Sequence, residues 1–225
     1  MLLQPQDRSK LDASDDALFY SVPRFVTHLD DRFLETLTQL YRDRLQPQIR
    51  ILDLMSSWVS HLPKERAFAH VEGHGLNAEE LERNLRLNHF FVQNLNQNPE
   101  LPLPDQSFDA VLNTASVQYI QYPETVFREI HRVLKPDGIA IISFSNRMFF
   151  HKAIQAWRDG SEGDRLALVQ TYVASIPGFM VEDVIEIVPK SAALAWLSGG
   201  QDPFYAVIAR RNHEGTDEAG FQPLG

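Results

Sequence analysis

LPLPDQSFDAVLNTASVQYIQYPETVFREIHRVLKPDGIAIISFSNR, residues 101–147, reads as one strand–helix–strand unit, and it decides the fold class. FDAVLN (108–113) is a short apolar run of the kind that forms a buried strand. Pro123 suits the first turn of a helix, where a missing N–H costs nothing. Val126, Phe127, Ile130, Val133 and Leu134 then recur at helical spacing and mark the inner face. KPDG (135–138) ends the helix and turns into GIAIISFS (138–145), apolar without alternation. Such a strand is buried on both faces, which requires a parallel sheet covered by helices on each side.

The same alternation extends upstream. IRILDL (49–54), AFAHVEG (67–73) and HFFVQNL (89–95) read as further strands, with Asn77 and Glu80 spaced as a capping box before the next helix. A helix beginning near Leu29 carries Phe33, Leu34, Leu37, Leu40 and Tyr41 on one face, with Asp30 or Asp31 as its cap. Downstream, MVEDVIEIV (180–188) and FYAVIAR (204–210) look like strands joined by a short segment carrying Pro189, Gly199, Gly200 and Pro203. That connection predicts an antiparallel pair closing the sheet edge. The expected organisation is therefore an N-terminal helical and lid segment (1–45), a doubly wound α/β domain (46–210) and a loose polar tail (211–225). Residues 1 to about 17 are polar and acidic and depend on the rest for order. Phe19, Tyr20, Val22 and Phe25 are too apolar to stay solvated, so the segment around 18–30 is expected to cover the carboxyl ends of strands one, two and four.

Composition narrows the function. A chain of 225 residues with 44% hydrophobic content can bury one substantial core. Its net charge of −9 speaks against a nucleic-acid partner and favours a small molecule. The absence of cysteine excludes disulfides, thiolate metal sites and a cysteine nucleophile. No zinc-protease or EF-hand motif appears, so no metal is expected. Lacking a signal-like start and any membrane-length apolar run, the chain reads as cytoplasmic.

Residues 101–147 resemble the type 11 branch of class I S-adenosylmethionine-dependent methyltransferases. FDAV, the Arg-Val-Leu-Lys-Pro-x-Gly turn and the apolar strand after it carry the likeness in combination. The resemblance covers roughly residues 49–210 and implies a seven-stranded sheet in the order 3-2-1-4-5-7-6. It also implies S-adenosylmethionine as cofactor, with S-adenosylhomocysteine as product, bound where strand order reverses. Carried over position by position, the site residues are Asp53, Met55, Ser56, Ser57 and Trp58 in the first loop, Gly75 and Leu76 after strand two, Asn94 and Leu95 after strand three, and Asn113 and Thr114 at the end of strand four. Three positions depart from the family. The first loop, Asp53 to Val59, has no glycine where the family has a Gly-x-Gly-x-Gly turn; Gly75 replaces the acid that binds the ribose hydroxyls; Asn94 replaces the aspartate that meets adenine. The loop SSWVSHLP (56–63) is instead similar to that of a subgroup from photosynthetic organisms. In it, Ser56 and Ser57 are expected to meet the methionine carboxylate or amino group and Trp58 to offer an aromatic face to the sulfonium. Loss of the acid predicts a weaker ribose contact, which Gly75→Asp should restore if the backbone at this position accommodates a side chain.

Methyl transfer from an activated sulfonium needs alignment and dryness more than acid–base groups. No catalytic residue is assigned. His28, His61 and His74 are candidate bases on their position near the crevice, and Tyr20, Arg24 and Tyr119 are candidate lid or substrate-pocket residues. The NTAS run (113–116) is unlike the Asn/Asp-Pro-Pro-Tyr/Phe motif of methyltransferases acting on exocyclic amines. The competing reading is a non-catalytic methyltransferase-like binding protein. A nicotinamide-dependent oxidoreductase fails for want of Gly-x-Gly-x-x-Gly and Tyr-x-x-x-Lys.

Overall fold

The computed structural model describes residues 2–188 and 201–212. In chain order the elements are α1 (Asp16–Phe19), α2 (Asp31–Arg44), β1 (Arg50–Asp53), β2 (His70–Gly75), α3 (Ala78–Glu82), β3 (His89–Val92), β4 (Phe108–Thr114), α4 (Pro123–Val133), β5 (Leu134–Phe144), α5 (Gln155–Asp159), α6 (Glu162–Ala174), β6 (Phe179–Ile187) and β7 (Phe204–Arg211). They build one seven-stranded sheet in the order β3-β2-β1-β4-β5-β7-β6. The pairs β1–β2, β1–β4, β2–β3 and β4–β5 are parallel, whereas β7 runs antiparallel to both β5 and β6. The expected fold class, strand order and edge hairpin are all present. Pro189, Gly199 and Gly200 of the connection, and the tail from residue 213, lie outside the described residues.

Period-two burial separates two cores. Ala110 and Leu112 of β4 face α2, whose Phe33, Leu37, Leu40 and Tyr41 pack against Ile51, Val71 and Ile141. Val111 faces the other way, into the layer formed by α4 and α6 with Phe127, Ile130, Val169 and Tyr172. Every helix that covers the sheet therefore uses the apolar stripe its sequence displays. Asp30 is the residue that caps α2, accepting from the Phe33 N–H at 2.8 Å. The pair α5–α6 has no counterpart among the elements read from sequence. Ser161 and Asp164 form a reciprocal capping box there, and Leu166, Val169, Tyr172 and Val173 follow on one face.

Three boundaries differ from expectation for local reasons. β3 stops at Val92, because the Asn94 side chain accepts from the Asn96 N–H at 3.0 Å and turns the chain off the sheet. Pairing of β5 starts at Leu134 instead of Gly138, with a register shift opposite Phe108/Ala110 and a left-handed Asp137 (φ 62) absorbing the turn. Arg211, assigned to the tail, instead ends β7 and donates to the carbonyls of His131 and Leu134.

Residues 2–20 cross the helical layer as a brace. Leu3 is buried, and Arg8 forks onto Glu124 at 2.7 and 3.1 Å while also bonding the Gln121 carbonyl at 2.6 Å. Lys152, 1% exposed, reaches back to the Ser14 carbonyl at 2.8 Å and to the Asp12 and Asp16 carboxylates at 3.1 and 3.4 Å.

Candidate functional site

Reversal of strand order between β1 and β4 leaves a crevice at their carboxyl ends. A cavity of about 380 Å³ fills it, within the range of small-molecule sites. Its floor is Asp53, the first loop, Gly75 and Thr114; Asn94 to Asn96, Ser116 and Gln118 to Ile120 form one side, and Arg147 to Phe149 another. Tyr20, Arg24 and residues 26–29 roof it, as expected of the 18–30 segment. Ten of the eleven sequence-derived positions, Asp53, Met55, Ser56, Ser57, Trp58, Gly75, Leu76, Asn94, Leu95 and Thr114, line this one space.

Asn113 does not. On β4 it shares the face of Val111, away from Thr114, and its amide donates to the Leu54 carbonyl at 3.2 Å. Alternation along the strand puts it under the first loop as a brace. Thr114, on the other face, bonds the Tyr41 hydroxyl at 2.8 Å.

The first loop follows from β1 without glycine, yet Met55 adopts φ 59, the left-handed region. A methionine there is strained, and neighbours hold it. The Met55 N–H donates to His74 Nδ1 at 3.1 Å, and the Ser56 N–H donates to the His74 carbonyl at 2.6 Å. Asn84 clamps the far side, donating to the Ser57 carbonyl at 2.9 Å and to Ser60 Oγ at 2.8 Å. The loop is thereby laid across the end of β2. Its Ser56 carbonyl sits where a side chain on residue 75 would begin: a Cβ there would lie 2.6 Å from that oxygen. The condition for Gly75→Asp to restore a ribose contact is not met, since a Cβ at this position would collide with the loop backbone. The glycine at this crossing lies at the end of the strand, beneath the loop.

Both serine hydroxyls are already committed. Ser56 Oγ donates to Asp53 at 2.6 Å and Ser57 Oγ to Glu80 at 2.6 Å. They shape the loop, so the expected direct contact of these hydroxyls with a ligand is not how they are placed. Asp53 is 5% exposed, and burial pushes its carboxyl up to about 6 against the opposing pull of the Ser56 and Ser60 hydroxyls. Trp58 neither fills the cavity nor packs into the core. Its Nε1–H donates to the Val26 carbonyl of the roof at 3.2 Å, and its ring meets Phe25 edge-on at 6.5 Å.

The histidines divide by burial. His74, 1% exposed, uses both ring nitrogens, accepting from Met55 at Nδ1 and facing the Gln93 carbonyl at 2.9 Å through Nε2. Burial lowers its pKa to about 4. It is a neutral strut, and its candidacy as a base ends there. His61 also lines the cavity and is lowered to about 4 by burial, so its ring is neutral near pH 7. His28 stands against Phe149 at 5.1 Å, its pKa lowered by desolvation and then by Arg24. Tyr119 accepts the Phe149 N–H at 2.8 Å and so joins two walls.

Sequence reasoning missed Glu80, Asn84, Gln118 and Phe149. Glu80 was assigned to a capping box; Asn77 does cap the Glu80 N–H at 3.0 Å, but the Glu80 carboxylate turns away to Ser57 and to the Arg24 N–H. No local signal marks Asn84 or Gln118. Among the described residues, no group of carboxylates and histidines is arranged to hold a metal ion. Nor is any described helix long and apolar enough to cross a membrane.

A mostly parallel sheet in this order, with a cavity at its reversal, is a Rossmann-like fold. The model of the methyltransferase domain family matches residues 56–142 of the chain. A "probable S-adenosylmethionine-dependent methyltransferase" of Mycolicibacterium smegmatis is 30% identical over 89 residues, 39% of this chain and 35% of that protein. The malonyl-acyl-carrier-protein O-methyltransferase of a Marinomonas species is 33% identical over 57 residues, 25% of this chain and 21% of that protein. The chain thus covers about a third or less of the length of these relatives. Among solved structures, an S-adenosylmethionine-dependent methyltransferase from Mesorhizobium loti superposes with a TM-score of 0.53 at 20% identity, over 77% of this chain and 96% of its own. SpnF, a (4+2)-cyclase, gives 0.56 at 18% identity over 80% and 82%. Both likenesses concern the fold, which does not by itself choose the reaction.

Proposed function

We propose that this protein is an S-adenosylmethionine-dependent methyltransferase acting on a small molecule. The observation that carries the reading is the roofed cavity at the β1/β4 reversal, with the buried Asp53 on its floor. The residues present fit the cofactor at its methionine end. Asp53 is a buried carboxylate able to receive an ammonium, and among the described residues the N–H groups of Ser57 and Trp58 make no hydrogen bond, which suits them to a carboxylate. Leu76 and Leu95 offer apolar walls to an adenine, with the Asn94 amide beside them.

The bound cofactor supplies a methyl group already activated on a sulfonium. The chain's part is to align the acceptor and exclude water. Roof residues Tyr20, Arg24 and His28, with Phe149 and Tyr119, bound the space left for the acceptor. His61 also lines the wall, but burial lowers its pKa to about 4, which makes the ring a poor proton acceptor near pH 7, so it is assigned to the wall and not as a base. A roofed space of this size supports a small acceptor.

Calorimetry tests the reading. S-adenosylhomocysteine should bind at one site, and more tightly as pH rises through about 6, because ionised Asp53 attracts the ligand's ammonium. Absence of binding between pH 6 and 8 would sink the enzyme assignment. The second reading, a methyltransferase-like binding module without catalysis, is favoured by one observation, the blocked Gly75 position. It predicts binding of neither S-adenosylmethionine nor S-adenosylhomocysteine.

A further inference from the structure

Glu80 is a buried acid that does not serve as the reciprocal partner of its own helix cap. It is 6% exposed, lines the cavity, and forms no ion pair among the described residues. Its position in the first turn of α3 would let it reach back to the Asn77 N–H, as in an ordinary capping box. Instead each carboxylate oxygen takes one donor from a different wall: the Arg24 N–H of the roof at 2.6 Å and the Ser57 hydroxyl of the first loop at 2.6 Å. A carboxylate accepts about four hydrogen bonds, so roughly half its capacity is unused. Burying such a group with two neutral donors is costly unless something else completes its shell.

The neighbouring strand end cannot do this work. Gly75 closes β2 under the Ser56 carbonyl, where a Cβ would come within 2.6 Å, and its remaining space is bounded by Leu81 at 3.3 Å. The acid this wall offers is Glu80, one residue before Leu81. A ribose presents two adjacent hydroxyls, and a carboxylate accepts both in a fork. We infer that Glu80 is the acid that recognises the vicinal hydroxyls of the bound nucleoside, from a helix instead of from the end of β2. The inference rests on the S-adenosylmethionine reading. Because the same carboxylate holds the roof at Arg24 and the loop at Ser57, it places the ligand's hydroxyls at the junction of both.

The test is calorimetry with S-adenosylhomocysteine and its 2′,3′-dideoxyribose analogue, on the wild type, Glu80→Gln and Glu80→Asp, with folding checked by thermal melts. The wild type should bind the dideoxy analogue about 10-fold or more weakly. Glu80→Gln should weaken S-adenosylhomocysteine by a similar factor while leaving the analogue nearly unchanged, so that discrimination collapses. Glu80→Asp, which keeps the charge, should retain part of it. Equal losses on both ligands in Glu80→Gln would show that Glu80 only holds the roof and loop, and would overturn the inference. So would a wild type that binds both ligands equally, a comparison that needs no variant to fold. A wild type that binds neither ligand removes the cofactor reading itself, a separate outcome.

Discussion

Asp53 concentrates the conflict between stability and use in one side chain. Its carboxyl is raised from an ordinary value of 3.8 to about 6, chiefly by burial. An acid with a raised folded-state pKa costs nothing below the unfolded value, and the cost grows as pH rises, reaching its full size above the folded value. Between about pH 4 and 6 this group therefore lowers stability. Asp53→Asn should remove that dependence. At pH 7.5 the variant is expected to be more stable than wild type by about 1–3 kcal/mol, with the gain vanishing near pH 4. Urea titrations at the two pH values measure it. The same variant should bind S-adenosylhomocysteine more weakly, as a stabilising change at a working site does. A variant that gains nothing at pH 7.5 would mean that the folded protein does not raise the Asp53 pKa. The residue scale is also where reading the sequence reached least far. Asp53 and the loop were legible from position, but the diversion of Glu80 was not, because its hydrogen bonds join residues 23 and 56 positions away.

At the scale of elements the sequence was more open. Buried strands announce themselves as unbroken apolar runs, and β1, β4 and β7 appear where IRILDL, FDAVLN and FYAVIAR stand. The register of Asn113 was lost for a simple reason: a strand end was read as facing the crevice, whereas period two sends adjacent residues to opposite faces. α6 had a signal in Ser161, Asp164 and the stripe from Leu166 to Val173, which was passed over. The roof is the element most exposed to test. It is tied down at Asn77, which donates to the Tyr20 carbonyl at 2.8 Å, at Glu80, at Trp58, and at Asp30, whose N–H and carboxylate exchange hydrogen bonds with Asp202 at 2.9 and 2.7 Å. Trp58→Phe removes a tie and leaves a ring for Phe25. Amide exchange across residues 22–29 should then quicken by about 5-fold, the worth of one hydrogen bond, with β4 and β5 unchanged. If β4 quickens equally, Trp58 supports the whole fold and not the roof.

Seen whole, the molecule is a sheet with two cores and a brace that runs over one of them into the roof. Lys152 is the junction of brace and body, its ammonium 1% exposed beside Asp12, Ser14 and Asp16. Deleting residues 2–14 strips two of these partners and Arg8's fork onto Glu124, and should cost about 3–5 kcal/mol. Adding Lys152→Met to the truncated chain should deepen that loss, since Asp16, deprived of Lys10, keeps Lys152 as its ion-pair partner. If the second change recovers stability instead, the Lys152–Asp16 pair does not hold once the brace is gone. The carbonyl of Ser56 resting on Gly75 has a reach beyond stability. Two segments some twenty residues apart have become heritable only as a pair: a side chain at 75 fails while the loop lies there, and a loop that lifts away leaves a bare strand end. Whichever changed first, the order of later substitutions is restricted. Descendants of this chain can drift at the roof or the acceptor walls far more freely than they can return to a glycine-rich loop.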